Sequence, residues 1–355
     1  MELLKCNKII IVDNRVLILL ANLKKKIKMT FGKKEKIGSE FFKCLGYLSL
    51  SILVLIVNCK KEETYSIPSF CAAESDWGPN NLIVFANEPW EIIPPETVFP
   101  NDPRPRGLWT VKSDGSELKF LVGTTPDGRD FGQCPEWSPD GNWIVANDNI
   151  GRIWMVSADG DSIKQITQAG KRWNPSFSPT GEKLLFDRYM GPDSGGIWML
   201  DIQSGFEKRI TPFGVDPNFS PSGDKFVCYG WEESYNKPVL KIVDTIGNTT
   251  QVVYTNTEGE IDAPSFSPDS FKIAFGKPYV YTNDITNIWV VNVDGSNPRK
   301  LTSKGGRWPS WSPDGSKIVY TKISLNDLTQ EGNGDLYIIN PDGSDEKRLT
   351  FFYSR

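Results

Sequence analysis

Trp137-Ser138-Pro139-Asp140-Gly141 is a tight polar turn that the chain writes five times. It returns as Phe177-Ser178-Pro179-Thr180-Gly181, Phe219-Ser220-Pro221-Ser222-Gly223, Phe266-Ser267-Pro268-Asp269-Ser270 and Trp311-Ser312-Pro313-Asp314-Gly315. The serines lie 40, 42, 47 and 45 residues apart. A short apolar strand follows each turn, at 143–146, 184–186, 226–228, 273–275 and 318–320. A second strand is centred on Ile153-Trp154, Ile197-Trp198, Ile288-Trp289 or Leu336-Tyr337 and runs into Gly160, Gly205, Gly295 or Gly343. A last one carries Ile166-Thr167, Ile210-Thr211, Leu301-Thr302 or Leu349-Thr350.

Four short strands at this period are the signature of β-propeller blades. One small sheet cannot bury both of its faces, and radial stacking against two neighbours solves that while leaving only short edges. The pattern also occurs once ahead of the first Ser-Pro turn, with 82–85, Leu108-Trp109 and Asp114-Gly115. There Pro68-Ser69-Phe70 stands where Pro175-Ser176-Phe177 stands in the third unit. The fourth unit keeps the spacing with Val239-Leu240 and Gly247. The sequence thus predicts an all-β fold, a six-bladed β-propeller of four-stranded antiparallel blades over residues 67–355. With all four strands of each blade assigned in order, the ring closes either by pairing of 64–66 onto the last blade or by apolar packing alone.

Taken together, Trp/Phe-Ser-Pro-Asp-Gly, Lys-Ile-x-Phe, Ile-Trp followed by Asp-Gly, and Leu-Thr resemble the TolB-type, WD-repeat-like propeller family across 66–355. The resemblance implies a periplasmic or envelope protein that binds partners and carries out no catalysis.

Composition narrows the chemistry. The 355 residues include no histidine, which excludes Ser-His-Asp and Cys-His catalytic units and imidazole metal ligands within the chain. Residues 1–58 hold 11 Lys/Arg against 4 Asp/Glu, leaving 29 and 40 for the rest, a net of −11. An acidic body opposes nucleic-acid binding, which needs a basic face for phosphates. The sequence offers no Gly-rich phosphate loop, Cys-x-x-Cys pair or Gly-x-Ser-x-Gly elbow, and no cofactor or metal is expected.

Lys33, Lys34, Lys36 and Lys43 precede an apolar run over 44–57. At ~1.5 Å per residue that run spans about 21 Å, short of the ~30 Å hydrocarbon core, so it reads as the apolar segment of an export signal. Its end, Leu55-Ile56-Val57-Asn58-Cys59, resembles a bacterial lipobox, which makes Cys59 the expected lipid-attachment residue. The expected organisation is a targeting segment over 1–58 (with Met29 a plausible start), a lipid-anchored linker over 59–66, and the propeller. The expected location is the periplasmic side of the outer membrane or the cell surface, with the membrane reached through that anchor.

Within an antiparallel blade the Ser-Pro and Asp-Gly turns share one face, and the longer connections share the other. The turn acids read as turn caps. The longer connections bring aromatic and charged residues together over a rigid ring, which suits recognition. The candidate binding residues on that face are Trp90, Arg172, Trp173, Asn174, Asp216, Trp231, Glu260, Asp262, Arg307 and Trp308. Cys71 and Cys134 flank neighbouring innermost strands, and an exported protein can keep a disulfide between them. Cys228 replaces a core aromatic and reads as a small buried hydrophobe. The leading functional expectation is a non-catalytic module that docks an envelope protein, a peptide or a glycan. The alternative is a glycan-active propeller enzyme using the channel carboxylates Asp216, Glu260 and Asp262.

Overall fold

Ile83, Val84, Phe85 and Ala86 are fully buried in one unbroken run, although they sit in a strand whose side chains alternate between two faces. Both faces are therefore covered. In the computed structural model, which describes residues 71–88, 105–168, 170–188, 195–232, 237–256, 261–277, 286–322 and 334–351, the two faces meet different neighbours. Ile83 and Phe85 pack with Val319, Leu336 and Ile338 of the last blade. Val84 and Ala86 pack with Ile144, Ala146 and Trp154 of the second.

The same alternation runs round the whole ring. Val145 joins Leu184 and Phe186, and Leu185 joins Phe226 and Cys228. Val227 joins Ile273 and Phe275, and Ala274 joins Ile318 and Tyr320. Six apolar clusters thus serve six blade junctions, and the sixth returns to the first blade. Cys228 is completely buried in the junction between blades three and four.

Each of the six sheets has four antiparallel strands in sequence order, named a to d from the axis outward, and no helix occurs among the described residues. The innermost strands are Cys71–Trp77, Phe131–Trp137, Arg172–Phe177, Val215–Phe219, Asp262–Phe266 and Arg307–Trp311. The outermost are Lys119–Val122, Ile163–Gln165, Glu207–Arg209, Thr249–Thr255, Arg299–Lys300 and Lys347–Arg348.

The repeated residues are explained by local hydrogen bonding. Ser138 Oγ donates to Asp140 Oδ1 (2.5 Å) and accepts the Trp143 N–H (2.9 Å), while Asp140 also accepts the Asn142 N–H (3.0 Å). Gly141 supplies the left-handed conformation, φ 69°, that closes the turn. Thr167, Thr302 and Thr350 each use Oγ1 to accept the N–H that opens strand c, from Ile153 (2.9 Å), Ile288 (3.0 Å) and Leu336 (2.9 Å). The Ile/Leu-Thr signature is therefore a latch between strands c and d.

The first blade corrects one expectation. Ser75-Asp76-Trp77, seven residues later than Pro68-Ser69-Phe70, fills the place of Pro175-Ser176-Phe177, and Gly78-Pro79 stands for Ser-Pro. Gly78 replaces serine because a Cβ there would lie 2.5 Å from the Trp137 indole. Its N–H still bonds Leu82 O at 2.8 Å, as Ser138 N–H bonds Trp143 O.

Closure is not by apolar packing alone, and the other expected route, pairing of 64–66 onto the last blade, lies outside the described residues. Among the described residues no extra strand joins the last sheet. The apolar cluster between blades six and one is supplemented by hydrogen bonds. The Trp77 N–H donates to Ser310 Oγ (3.3 Å), and Ser310 Oγ donates to Asp76 Oδ1 (2.7 Å). Residues 1–70, including Cys59, lie outside the described residues.

Candidate functional site: the mouth of the central channel

Every innermost strand contains a register break against its neighbour, at Ala73/Ser75, Gln133/Glu136, opposite Leu185/Asp187, at Val215/Asn218, Asp262/Ser265 and Arg307/Ser310. At each break one residue is left-handed: Glu74 (φ 40°), Cys134 (51°), Asn174 (52°), Asp216 (51°), Ala263 (41°) and Trp308 (54°). A non-glycine residue in this region is uncommon and costs roughly 1–2 kcal/mol. A bulge re-aims a side chain, and six equivalent bulges aim six side chains at one place. These residues line a cavity of about 110 Å³ on the axis. Five of the six are followed by proline, which fixes the chain after the bend (Ser75 is the exception).

Two circumferential tiers of hydrogen bonds hold the mouth. In the upper tier Glu74 accepts the Cys134 N–H, and Cys134 Sγ lies 2.7 Å from Asn174 Oδ1. Asn174 Nδ2 donates to Asp187 Oδ1 (2.7 Å) and to Asp216, whose Oδ2 accepts the Ala263 N–H (3.0 Å). In the lower tier a polar side chain two residues on accepts the next blade's N–H. Asp76 takes Trp137 (2.8 Å), Glu136 takes Phe177 (2.7 Å), Ser176 takes Phe219 (3.3 Å) and Asn218 takes Phe266 (2.9 Å). Ser310 carries this tier across the closing junction by taking Trp77 (3.3 Å).

The electrostatics are those of crowded, buried acids. Burial raises Glu74 and Asp76, and burial with the neighbouring Asp76 charge raises Glu136 well above the carboxylate range. Asp187 is pushed up to about 7 by burial and then by the Glu74 charge. Asp216 is raised well above its ordinary value by burial and by Asp187 beside it. Arg307 lies close enough to feel Glu74 and Asp216, but Asp262 Oδ2 already holds its Nε (2.8 Å) and Nη2 (2.6 Å). Burial pulls Arg307 down, and the Asp262 charge and hydrogen bonds together with the Glu74 and Asp216 charges outweigh it, so its affinity for the proton is raised. Among the described residues no three Cys, Asp or Glu side chains converge in a metal-holding arrangement.

Of the residues singled out from sequence, Asn174, Asp216 and Trp308 line this cavity. Arg307 stacks over the Trp308 ring at 4.6 Å and pairs with Asp262 across blades five and six. Arg172 turns outward, with its guanidinium on both Glu207 carboxylate oxygens at 2.9 Å. Trp173 packs against Gly151 of blade two. Trp90 and Glu260 lie outside the described residues, and so does the Trp231 side chain. The expected disulfide is not formed. Cys134 is a free thiol that belongs to the ring, raised well above its ordinary value by burial and the Glu74 charge. The side chain of Cys71 lies outside the described residues. Glu74, Asp76, Glu136 and Asp187 complete the site and were not singled out. The signal for Glu136 was present in the sequence, two residues before Ser-Pro and next to the repeated proline.

Residues 213–354 match the family model described as the TolB beta propeller domain. An uncharacterized protein of Agrobacterium fabrum is 28% identical over 202 residues, covering 55% of this chain and 67% of that one. A protein named Tol-Pal system protein TolB, of Methylococcus capsulatus, is 28% identical over 182 residues, covering 46% of this chain. This chain spans 39% of that relative's length. The crystal structure of TolB from Acinetobacter baumannii superposes with a TM-score of 0.55 at 23% identity, over 67% of this chain and 58% of its own. The six blades form a β-propeller, and over residues 213–354 they match the TolB beta propeller domain.

Proposed function

We propose that this chain is a non-catalytic binding protein of the bacterial cell envelope, and that its channel mouth receives a cationic side chain from a partner protein. The observation that carries the reading is the ring of six left-handed positions around one acid-rich cavity. Glu74, Asp187 and Asp216 crowd this mouth; burial first, and then the repulsion among them, raises their affinity for protons, and an added positive charge would relieve that repulsion. A cavity of about 110 Å³ takes one protruding side chain or a few waters. Pockets that enclose small ligands run to about 300–1,000 Å³. This size favours a docked protein segment over a saccharide bound for cleavage.

The Tol-Pal name of the relatives supports an envelope partner. The lipobox-like end of the N-terminal apolar run supports export with lipid attachment at Cys59. Loss of fatty-acid labelling in Cys59→Ser tests the anchor. For the mouth, cross-linking in the source envelope should retain a partner on the parent chain and lose it from an E74Q/D216N double variant. A lysine-bearing peptide should compete with that partner. A partner held equally by both proteins would remove the mouth from the binding site.

A further inference from the structure

Five of the six outer strands are built to repel company. They are two to four residues long, and each carries Lys or Arg: Lys119, Lys164, Lys208-Arg209, Arg299-Lys300 and Lys347-Arg348. Short, basic edges are the standard protection against edge-to-edge pairing. Blade four departs on both counts. Its outer strand, Thr249–Thr255, has seven residues, Thr-Thr-Gln-Val-Val-Tyr-Thr, and no charge. It is fed by two eight-residue strands, Lys225–Glu232 and Lys237–Asp244, and no described strand pairs with its free side. Val252 at its midpoint is 40% exposed, and Ile246 in the turn before it is 73% exposed.

From this contrast we infer that the outer strand of blade four is a homodimerisation edge, which pairs antiparallel with the same strand of a second copy about a twofold axis near Val252. In that register Val252 meets Val252 of the partner copy, and Thr249 meets Thr255. No position opposes like charges, as four of the other five outer edges would if paired with themselves in the same symmetric way. The twist of the strand favours a second copy over a flat strand from another protein. Register breaks between Leu240/Lys241 and Ile242/Val243 leave Val253 and Thr250 as extra residues, which bend and over-twist the edge. A copy of the strand carries the same bulges at symmetric positions and is twisted to the same degree. The exchanged edge is ~24 Å long and small for a stable interface, so the dimer forms at micromolar concentrations.

Sedimentation velocity of the full chain in a mild non-ionic detergent tests this. At about 100 μM the parent chain should populate a dimer. V252K places two ammonium groups face to face and should weaken the dimer by about tenfold or more, as like-charge contacts across an interface do. T249K supplies a second charge at an exposed position. An unchanged thermal midpoint in either variant shows that the blade still folds. V252C should cross-link to its own copy under mild oxidant above the background of the parent chain, and K164C, on the edge of blade two, should not. A chain that stays monomeric at 100 μM, or a dimer indifferent to both lysine variants, overturns the inference. So does a monomer whose blade-four edge captures only other proteins.

Discussion

Ser310, in the last blade, accepts the backbone N–H of Trp77 in the first at 3.3 Å and donates to Asp76 Oδ1 at 2.7 Å. The two residues are separated by 233 positions in sequence, yet the bond repeats the Asn218–Phe266 contact between blades four and five. Closure therefore uses the same device as an internal junction.

Removing that hydroxyl should loosen the ring measurably. S310A leaves the Trp77 N–H without its acceptor and Asp76 without one donor, at a cost of about 1–3 kcal/mol for a buried unsatisfied group. Urea unfolding should show a lower midpoint in S310A, matched by N218A at an internal junction. An unchanged midpoint in S310A alone would mean that apolar packing carries the closure.

The Thr latch gives a second stability test. Thr302 Oγ1 accepts the Ile288 N–H at 3.0 Å and lies 3.3 Å from Asn287 Oδ1. T302V keeps the shape and removes the acceptor, so it should cost about 1–3 kcal/mol. T302S, which restores the oxygen, should recover most of the loss in the same thermal or urea measurement.

What could be read from residues alone were the parts in which one chemistry recurs. The Ser-Pro-Asp-Gly turn and the Ile/Leu-Thr latch each solve a local hydrogen-bonding problem in the same way in several blades, so their spacing exposed the blade count. The mouth follows the opposite logic. Its six equivalent bulge positions hold Glu, Cys, Asn, Asp, Ala and Trp, six different residues whose kinship lies in backbone conformation. In blade one the register was also hidden, because Ser75 stands for proline and Gly78 for the turn serine. Asp187 comes from strand b and reaches the ring through Asn174, a contact that local sequence does not encode.

The buried thiols should be silent in the native chain. Burial and the Glu74 charge raise Cys134, and burial pushes Cys228 up to about 12, so neither supplies thiolate at neutral pH. Iodoacetamide at about pH 8 should label both only after unfolding, as read by peptide mapping. A Cys71–Cys134 disulfide peptide in the unreduced map would contradict the free thiol at Cys134.

Asp187 sets the sign of the pH dependence. Its carboxyl titrates near 7 in the folded chain against 3.8 ordinarily, so between those values the folded state binds the extra proton. Stability then declines as pH rises through 7 and grows as pH falls toward 4. Asp216, raised by burial and by Asp187, pulls in the same direction. D187N keeps an oxygen to accept from Asn174 and from the Asp216 N–H, but it carries no charge. It should stabilise the chain at pH 8 by about 1–3 kcal/mol and flatten the fall between pH 6 and 8. Thermal midpoints across that range for parent and variant decide the matter. A parent chain that gains stability as the pH is raised would show that Asp187 is ionised in the folded mouth, its charge held by Asn174 and the Asp216 N–H.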